Sequence, residues 1–276
     1  MHRRVALTVA VLSGIGCHTP ARTTEHAARA AGSASESERA SSASSTASDE
    51  LARERPRVEG PVLVELFTSE GCSSCPPADR VFAALAEASD SPILPLAFHV
   101  DYWDSLGWAD RFATHAASER QREYARAFGR GGPYTPQAVV QGRFETIGSR
   151  RDEIEAAASR ESNHATIRLS VHRSASLELT VETSTEDAPS SAHIIVALYQ
   201  RSAESRPTRG ENEGAVLRHA NVVRSFREAT LPTAKLTLPI PADARGPLGV
   251  AAWVEEPIAS NGHGVLALAH TMVEPR

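Results

Sequence analysis

A short apolar run that ends on a closely spaced cysteine pair constrains this chain more than any other feature. Pro61-Val62-Leu63-Val64-Glu65-Leu66-Phe67 is rich in β-branched and large apolar residues, the composition of a buried strand. Thr68-Ser69-Glu70-Gly71 breaks the run, and Cys72, Cys75, Pro76 and Pro77 follow. Ala78 to Ala88 then carries Val81, Phe82, Leu85 and Ala88 on one helical face. Ser91-Pro92 ends that helix, and Ile93 to Val100 reads as a second strand. Strand, helix and strand in this order predict a parallel pair joined by a right-handed crossover. The cysteines therefore stand directly after a buried strand, where a helix begins.

That placement has chemical consequences. The first N–H groups of a helix lack partners, and its N-terminal end is positive, so a thiolate there is stabilised. Cysteines so placed have pKa values of about 3.5 to 7.5 rather than about 8.5. The first cysteine is expected to be the more exposed, which makes Cys72 the candidate nucleophile and Cys75 the resolving thiol. Isolated pairs of this spacing also bind zinc. A purely structural staple explains the pair poorly, because so short a loop restricts the unfolded chain little. Pro76 and Pro77 lack N–H groups at positions where a helix start tolerates their absence. Glu65 is the acid on the preceding strand. It either moves protons for the pair or, if alternation turns it to the other face, serves as a structural carboxylate. Glu70 reads as a surface charge that modestly raises the Cys72 pKa.

Beyond the second strand, His99, Asp101, Trp103 and Asp104 lie where α/β folds place their sites. Trp103 and Trp108 either wall the cysteine groove or pack the core. His99 and Asp101 could ligand a metal with a reduced Cys72. Arg111 to Phe128 reads as a polar helix, Gln137 to Val140 and Phe144 to Ile147 as strands, and Arg151 to Arg160 as a closing helix. Thr135-Pro136, just before a strand, is a candidate cis peptide. From about residue 163 the pattern becomes alternating: Ile167, Leu169 and Val171, then Leu177, Leu179 and Val181, with a hairpin at Ser174-Ala175. His193 to Tyr199, Lys235 to Ile240, Leu248 to Val254 and Val265 to Met272 are further strands. Gly210 to Gly214 is a polar loop. His219, Asn221 and Arg224 follow it, as a substrate site or as a network against the first half of the chain.

Strand, cysteine-bearing helix start and a later Thr-Pro before the third strand resemble the thioredoxin fold. That resemblance implies a cis-proline loop against the pair, with Pro136 the cis-proline and Thr135 the residue facing the sulfurs. Four blocks narrow the match: ELFTSEGCSSCPPAD (Glu65 to Asp79), FHVDYWDSLGW (Phe98 to Trp108), YTPQAVVQG (Tyr134 to Gly142), and GENEG with LRHANVVR (Gly210 to Arg224). Together they resemble the secreted thioredoxin-like family called domain of unknown function 1223. The family implies a fold and an exported location, without a substrate.

The N-terminus agrees with export. Met1-His2-Arg3-Arg4 is positive, and Val5 to Gly16 is an apolar run too short to span a bilayer. Gly14-Ile15-Gly16-Cys17 resembles a lipoprotein box, with Gly14 where leucine is usual. Lipidation at Cys17, a conventional cleaved signal and a cytoplasmic protein with an apolar start are the three alternatives. Residues 18 to 58 are rich in Ala, Ser, Glu and Arg and cannot bury enough apolar surface to fold. A net charge of -5 gives nucleic-acid binding no electrostatic support.

The sequence thus predicts a lipoprotein-type signal over 1–17, a disordered tether over 18–58, an α/β thioredoxin-like domain over 59–162, and a β-rich, sandwich-like domain over 163–276. The expected activity is thiol–disulfide exchange through Cys72 and Cys75, aided by Thr135, Pro136 and Glu65, with no cofactor and no metal. Its partners would be protein thiols or disulfides of the cell envelope, with the chain periplasmic or anchored to the outer membrane through Cys17. The alternative is a non-catalytic binding or metal-handling module.

Overall fold

The computed structural model describes residues 60–173, 177–258 and 262–273. The signal, Cys17, the tether and the Ser174-Ala175 turn fall outside these residues. The first half begins as the hydrophobic pattern requires. β1 (Val62–Thr68) is buried along its whole length, α1 (Pro76–Glu87) follows, and β2 (Ile93–His99) lies parallel to β1. A 3-10 turn (Asp101–Leu106) leads towards α2 (His115–Ala127), whose first turn is capped by Thr114: its hydroxyl accepts from the Ala117 N–H. β3 (Gln137–Val140), β4 (Phe144–Ile147) and α3 (Arg151–Ala158) complete this half.

The second half supplies β5 (Thr166–Arg173), β6 (Glu178–Glu186), β7 (His193–Ser205), β8 (Leu217–Thr230), β9 (Thr233–Pro239), β10 (Leu248–Ile258) and β11 (Gly262–Met272). Here the expected fold class fails. The described chain is mostly β-sheet, and its two halves share one mixed eight-stranded sheet, ordered β11-β10-β7-β8-β2-β1-β3-β4. It is not a helix-rich α/β thioredoxin-like domain followed by a separate β domain. The physical reason is the edge of β2. A buried strand with an unpaired edge leaves N–H and C=O groups without partners, and β8 covers that edge in parallel, with Ala97 opposite Val222. β5, β6 and β9 form a second, three-stranded antiparallel sheet.

Alternation along the strands explains the layers. Val62, Val64 and Leu66 pack with Phe82 and Leu85 of α1 and Ile154 of α3. Leu63 and Phe67, on the other face of β1, join Tyr124 of α2, Ile195, Trp253 and Val265 in a core that runs across both halves. On β7, Ile194, Val196 and Leu198 face the small sheet through Leu179, Val181 and Leu238. Both faces of β7 are therefore covered, which is why its first half reads as a continuous apolar run.

Candidate functional site

The disulfide site is built at the carboxyl end of β1. The Cys72 N–H donates to the Ser69 carbonyl at 3.2 Å and the Cys75 N–H to the Cys72 carbonyl at 3.2 Å, so the chain turns sharply into α1. Cys75 is the N-cap, and its carbonyl accepts from Ala78 and Asp79 at 2.9 and 3.1 Å. The two prolines fill the positions whose N–H groups would have had no partner. Cys72 and Cys75 are joined in a disulfide, with Cα atoms 5.4 Å apart.

Both cysteines are completely buried, whereas Ser73 and Ser74 between them are exposed. The expected exposure of Cys72 is therefore corrected. The Gly210–Gly214 loop is hydrogen-bonded to the backbone of this turn. The Asn212 amide donates to the carbonyls of Glu70 and Cys72 at 2.8 and 3.0 Å, and the Ser73 N–H donates to Glu211 Oε2 at 2.9 Å. The C=O and N–H of a trans peptide point in opposite directions, so Glu211 and Asn212 grip the Cys72–Ser73 peptide from two sides. The loop starts at a position only glycine fits: Gly210 has φ +79°, and a Cβ there would meet Trp108 Cβ at 3.2 Å.

A buried polar network lies next to the pair. Asp79, one helical turn after Cys75 and on the same face, accepts from the Thr68 hydroxyl at 3.1 Å. His219 of β8 sits between Asp79 Oδ2 at 3.5 Å and Glu70 Oε1 at 3.4 Å. The Trp108 indole donates to Glu70 Oε2 at 2.7 Å, and the Glu70 N–H donates to Asp110 Oδ2 at 2.9 Å. The same Asp110 oxygen lies 2.6 Å from His99 Nδ1. The two imidazoles meet edge to face, with centroids 4.7 Å apart. All five ionisable residues are buried, so Glu70 is not the surface charge expected from its position beside the cysteines.

Electrostatics in this network are set by opposing effects. Burial works against a charge on His219, but the carboxylates of Asp79 and Glu70 override it and push its pKa up to about 10. Burial likewise works to raise Glu70, and Asp110 adds to it, yet His219, Ser205 and Trp108 leave its carboxyl below the usual range. Asp110 is held below its ordinary value against burial by His99 and by the N–H groups of Glu70 and Phe112. The result is an imidazolium between two carboxylates, one of which stands a turn away from Cys75.

Glu65 occupies the opposite face of β1. It accepts from Arg120 at 2.6 and 3.1 Å and from the Tyr124 hydroxyl. Arg120 also reaches Glu255 of β10 at 3.0 and 2.8 Å, and Glu255 accepts from the Trp253 indole at 2.8 Å. These bonds tie the two halves of the large sheet together. Of the two readings of Glu65, the surroundings are those of the structural carboxylate.

The Thr135–Pro136 peptide is cis. The Trp103 indole donates to the Thr135 hydroxyl at 2.9 Å, and a Cβ on Gly71 would come within 3.2 Å of Trp103 Cβ. Trp103 thus links the Thr135 loop to the residue preceding Cys72. A Cβ on Gly148 would meet Leu66, Ala78 and Pro136 at 2.6, 3.0 and 3.3 Å, so Pro136 converges with the first turn of α1. Trp108, the other candidate wall, serves the network through Glu70. His99 and Asp101 are not brought together with Cys72 as ligands: His99 is bonded to Asp110, and Asp101 to Ser118 and His115. Among the described residues no cluster of His, Cys, Asp and Glu could hold a metal ion.

Sequence reasoning missed Asp79, Asp110, Glu211 and Asn212. Asp79 left a signal, an acid beside Ala78 on the apolar face of α1 that also carries Phe82 and Leu85. Asn212 lies in a loop that the family resemblance marked, but nothing local in the sequence tied that loop to the cysteine turn.

Comparison with known proteins places the chain in a family. The family model described as "Protein of unknown function (DUF1223)" matches residues 63–255, and the chain belongs to that family. Among solved structures it is similar to protein AGR_C_4864 from Agrobacterium tumefaciens, with 25% identity and a TM-score of 0.58 over 80% of this chain and 100% of that one. A β-glucosidase from Kluyveromyces marxianus, at 12% identity and TM-score 0.20 over 42% of this chain and 14% of that one, is too remote to carry an argument. No curated protein matches the chain.

Proposed function

We propose that this protein is a thiol–disulfide oxidoreductase working through Cys72 and Cys75. The observation that carries the reading is the pairing of a helix-start disulfide with the buried Asp79–His219–Glu70 network one turn away. A helix start favours a thiolate leaving group, and a disulfide exchanges by thiolate attack on one sulfur. A substrate thiolate attacks Cys72 Sγ, an S–S bond forms between them, and the Cys75 thiolate leaves. The positive helix start stabilises that thiolate, which takes its proton from solvent. A second substrate thiolate then attacks the mixed disulfide at the substrate sulfur and releases Cys72. The substrate is oxidised by two electrons, and the pair is reduced to two thiols. Protein thiols of the cell envelope fit this role, in a compartment where a disulfide persists, with the chain exported and held by Cys17.

One observation favours a second reading, a non-catalytic fold whose disulfide only fixes the turn: both cysteines are completely buried. Incubation of the reduced protein with an unfolded polypeptide carrying a disulfide separates the two. Cys75→Ser should accumulate a mixed disulfide on Cys72, and Cys72→Ser should form none. If neither variant is captured and the wild-type dithiol alkylates with an ordinary pKa of about 8.5, the oxidoreductase reading fails.

A further inference from the structure

We propose that the Gly210–Gly214 loop is a gate, and that Glu211 and Asn212 are the positioning residues that keep the Cys72–Cys75 disulfide closed to solvent thiols. This rests on the exchange reading and adds its regulation. Three observations converge. The cysteines are buried although the two residues between them are exposed. Three hydrogen bonds from the loop end on Glu70, Cys72 and Ser73, the backbone of the turn itself. The loop is bounded by Gly210 and Gly214, both at positive φ (+79° and +76°), where the chain can change direction at little steric cost.

A cleft of about 340 Å³ lined by Trp108, Arg111, Glu204, Ser205 and Arg206 adjoins the loop at Trp108, the residue against which Gly210 packs. Room beside the hinge lets the loop swing without displacing the core. The groups that Asn212 satisfies are main-chain carbonyls, and an extended peptide can satisfy them equally through its own N–H groups. The partner that opens the gate is therefore an unfolded or extended protein segment carrying the reacting thiol. A small thiol offers no such replacement and meets a closed site.

The test uses the full chain and a small phosphine reductant, tris(2-carboxyethyl)phosphine, with thiols counted by alkylation and mass. The phosphine attacks one sulfur, takes oxygen from water to become a phosphine oxide, and leaves two thiols. Loss of two hydrogen bonds of ordinary strength predicts that Asn212→Ala is reduced about tenfold faster than wild type. Glu211→Ala should be faster as well, Asn212→Gln should recover part of the wild-type protection, and low urea should leave the wild-type rate unchanged. An Asn212→Ala rate equal to wild type overturns the gate. So does a set of rates that rises with urea as global unfolding does, because reduction would then proceed through the unfolded chain. Neither result depends on mixed-disulfide capture, so the gate and the exchange reading can fail separately.

Discussion

His219 carries the charge on which the buried network depends. Its folded pKa of about 10 stands above the ordinary 6.5. A raised pKa means that the folded protein binds the proton more tightly than the unfolded chain. This contribution is full below pH 6.5 and is lost as pH rises through about 10. Wild-type stability, followed by urea denaturation, should therefore decline between pH 7 and 10. His219→Gln removes the cation and leaves two buried carboxylates without it, so it should cost about 3 kcal/mol at pH 7 and flatten the alkaline decline. An unchanged slope in the variant would mean that other groups govern that limb. On the acid side the sign reverses: Glu70 and Asp110 have lowered pKa values, so their contribution is present above the usual carboxylate range and is lost as pH falls through those lowered values.

At the scale of elements, the decisive joint is β8 against β2. Pro95 in β2 has no N–H to offer, and its carbonyl accepts from the Asn221 side chain at 2.8 Å in place of a ladder bond. Asn221 adopts φ +48°, which an asparagine tolerates better than most residues, and its carbonyl oxygen accepts from Arg201 at 3.1 Å. Asn221→Ala loses the bond to Pro95, orphans a buried carbonyl and places a β-carbon with no compensating side chain at positive φ. The expected loss is about 3 kcal/mol. Asn221→Gly keeps the backbone unstrained and should lose less. Equal losses in the two variants would show that the positive φ carries no cost there.

Across the whole molecule, the first half does not own a complete core. Leu63, Phe67 and Phe98 share their cluster with Ile195, Tyr199, Val223 and Trp253. Arg120 and Glu65 are completed by Glu255 from β10. A fragment covering residues 60–162 would expose that apolar face and bare the β2 edge, a template for aggregation. It should show no cooperative urea transition and should bind a hydrophobic dye. A sharp transition with a slope suited to its length would mean that the half is a domain after all, as its sequence pattern suggests.

What the sequence determined by itself is local. Apolar runs and alternation located β1, α1, β2, β3, β4 and most later strands, because the 3.6 and 2.0 periodicities are properties of neighbouring residues. The same locality placed Cys72 and Cys75 at a helix start and marked Thr135-Pro136 as a candidate cis peptide. Burial of the pair, the charge of His219 and the join of the two halves depend on residues far apart in sequence. Asn212 lies 140 positions from Cys72, the carbonyl it binds. Strand pairing is made through backbone groups that every residue has, so the edge on which β8 lands carries almost no side-chain signature. Glu70 shows the same division most simply. Its position beside the cysteines is written in the chain, while Trp108, Asp110 and His219, which bury and pair it, arrive only through the tertiary fold.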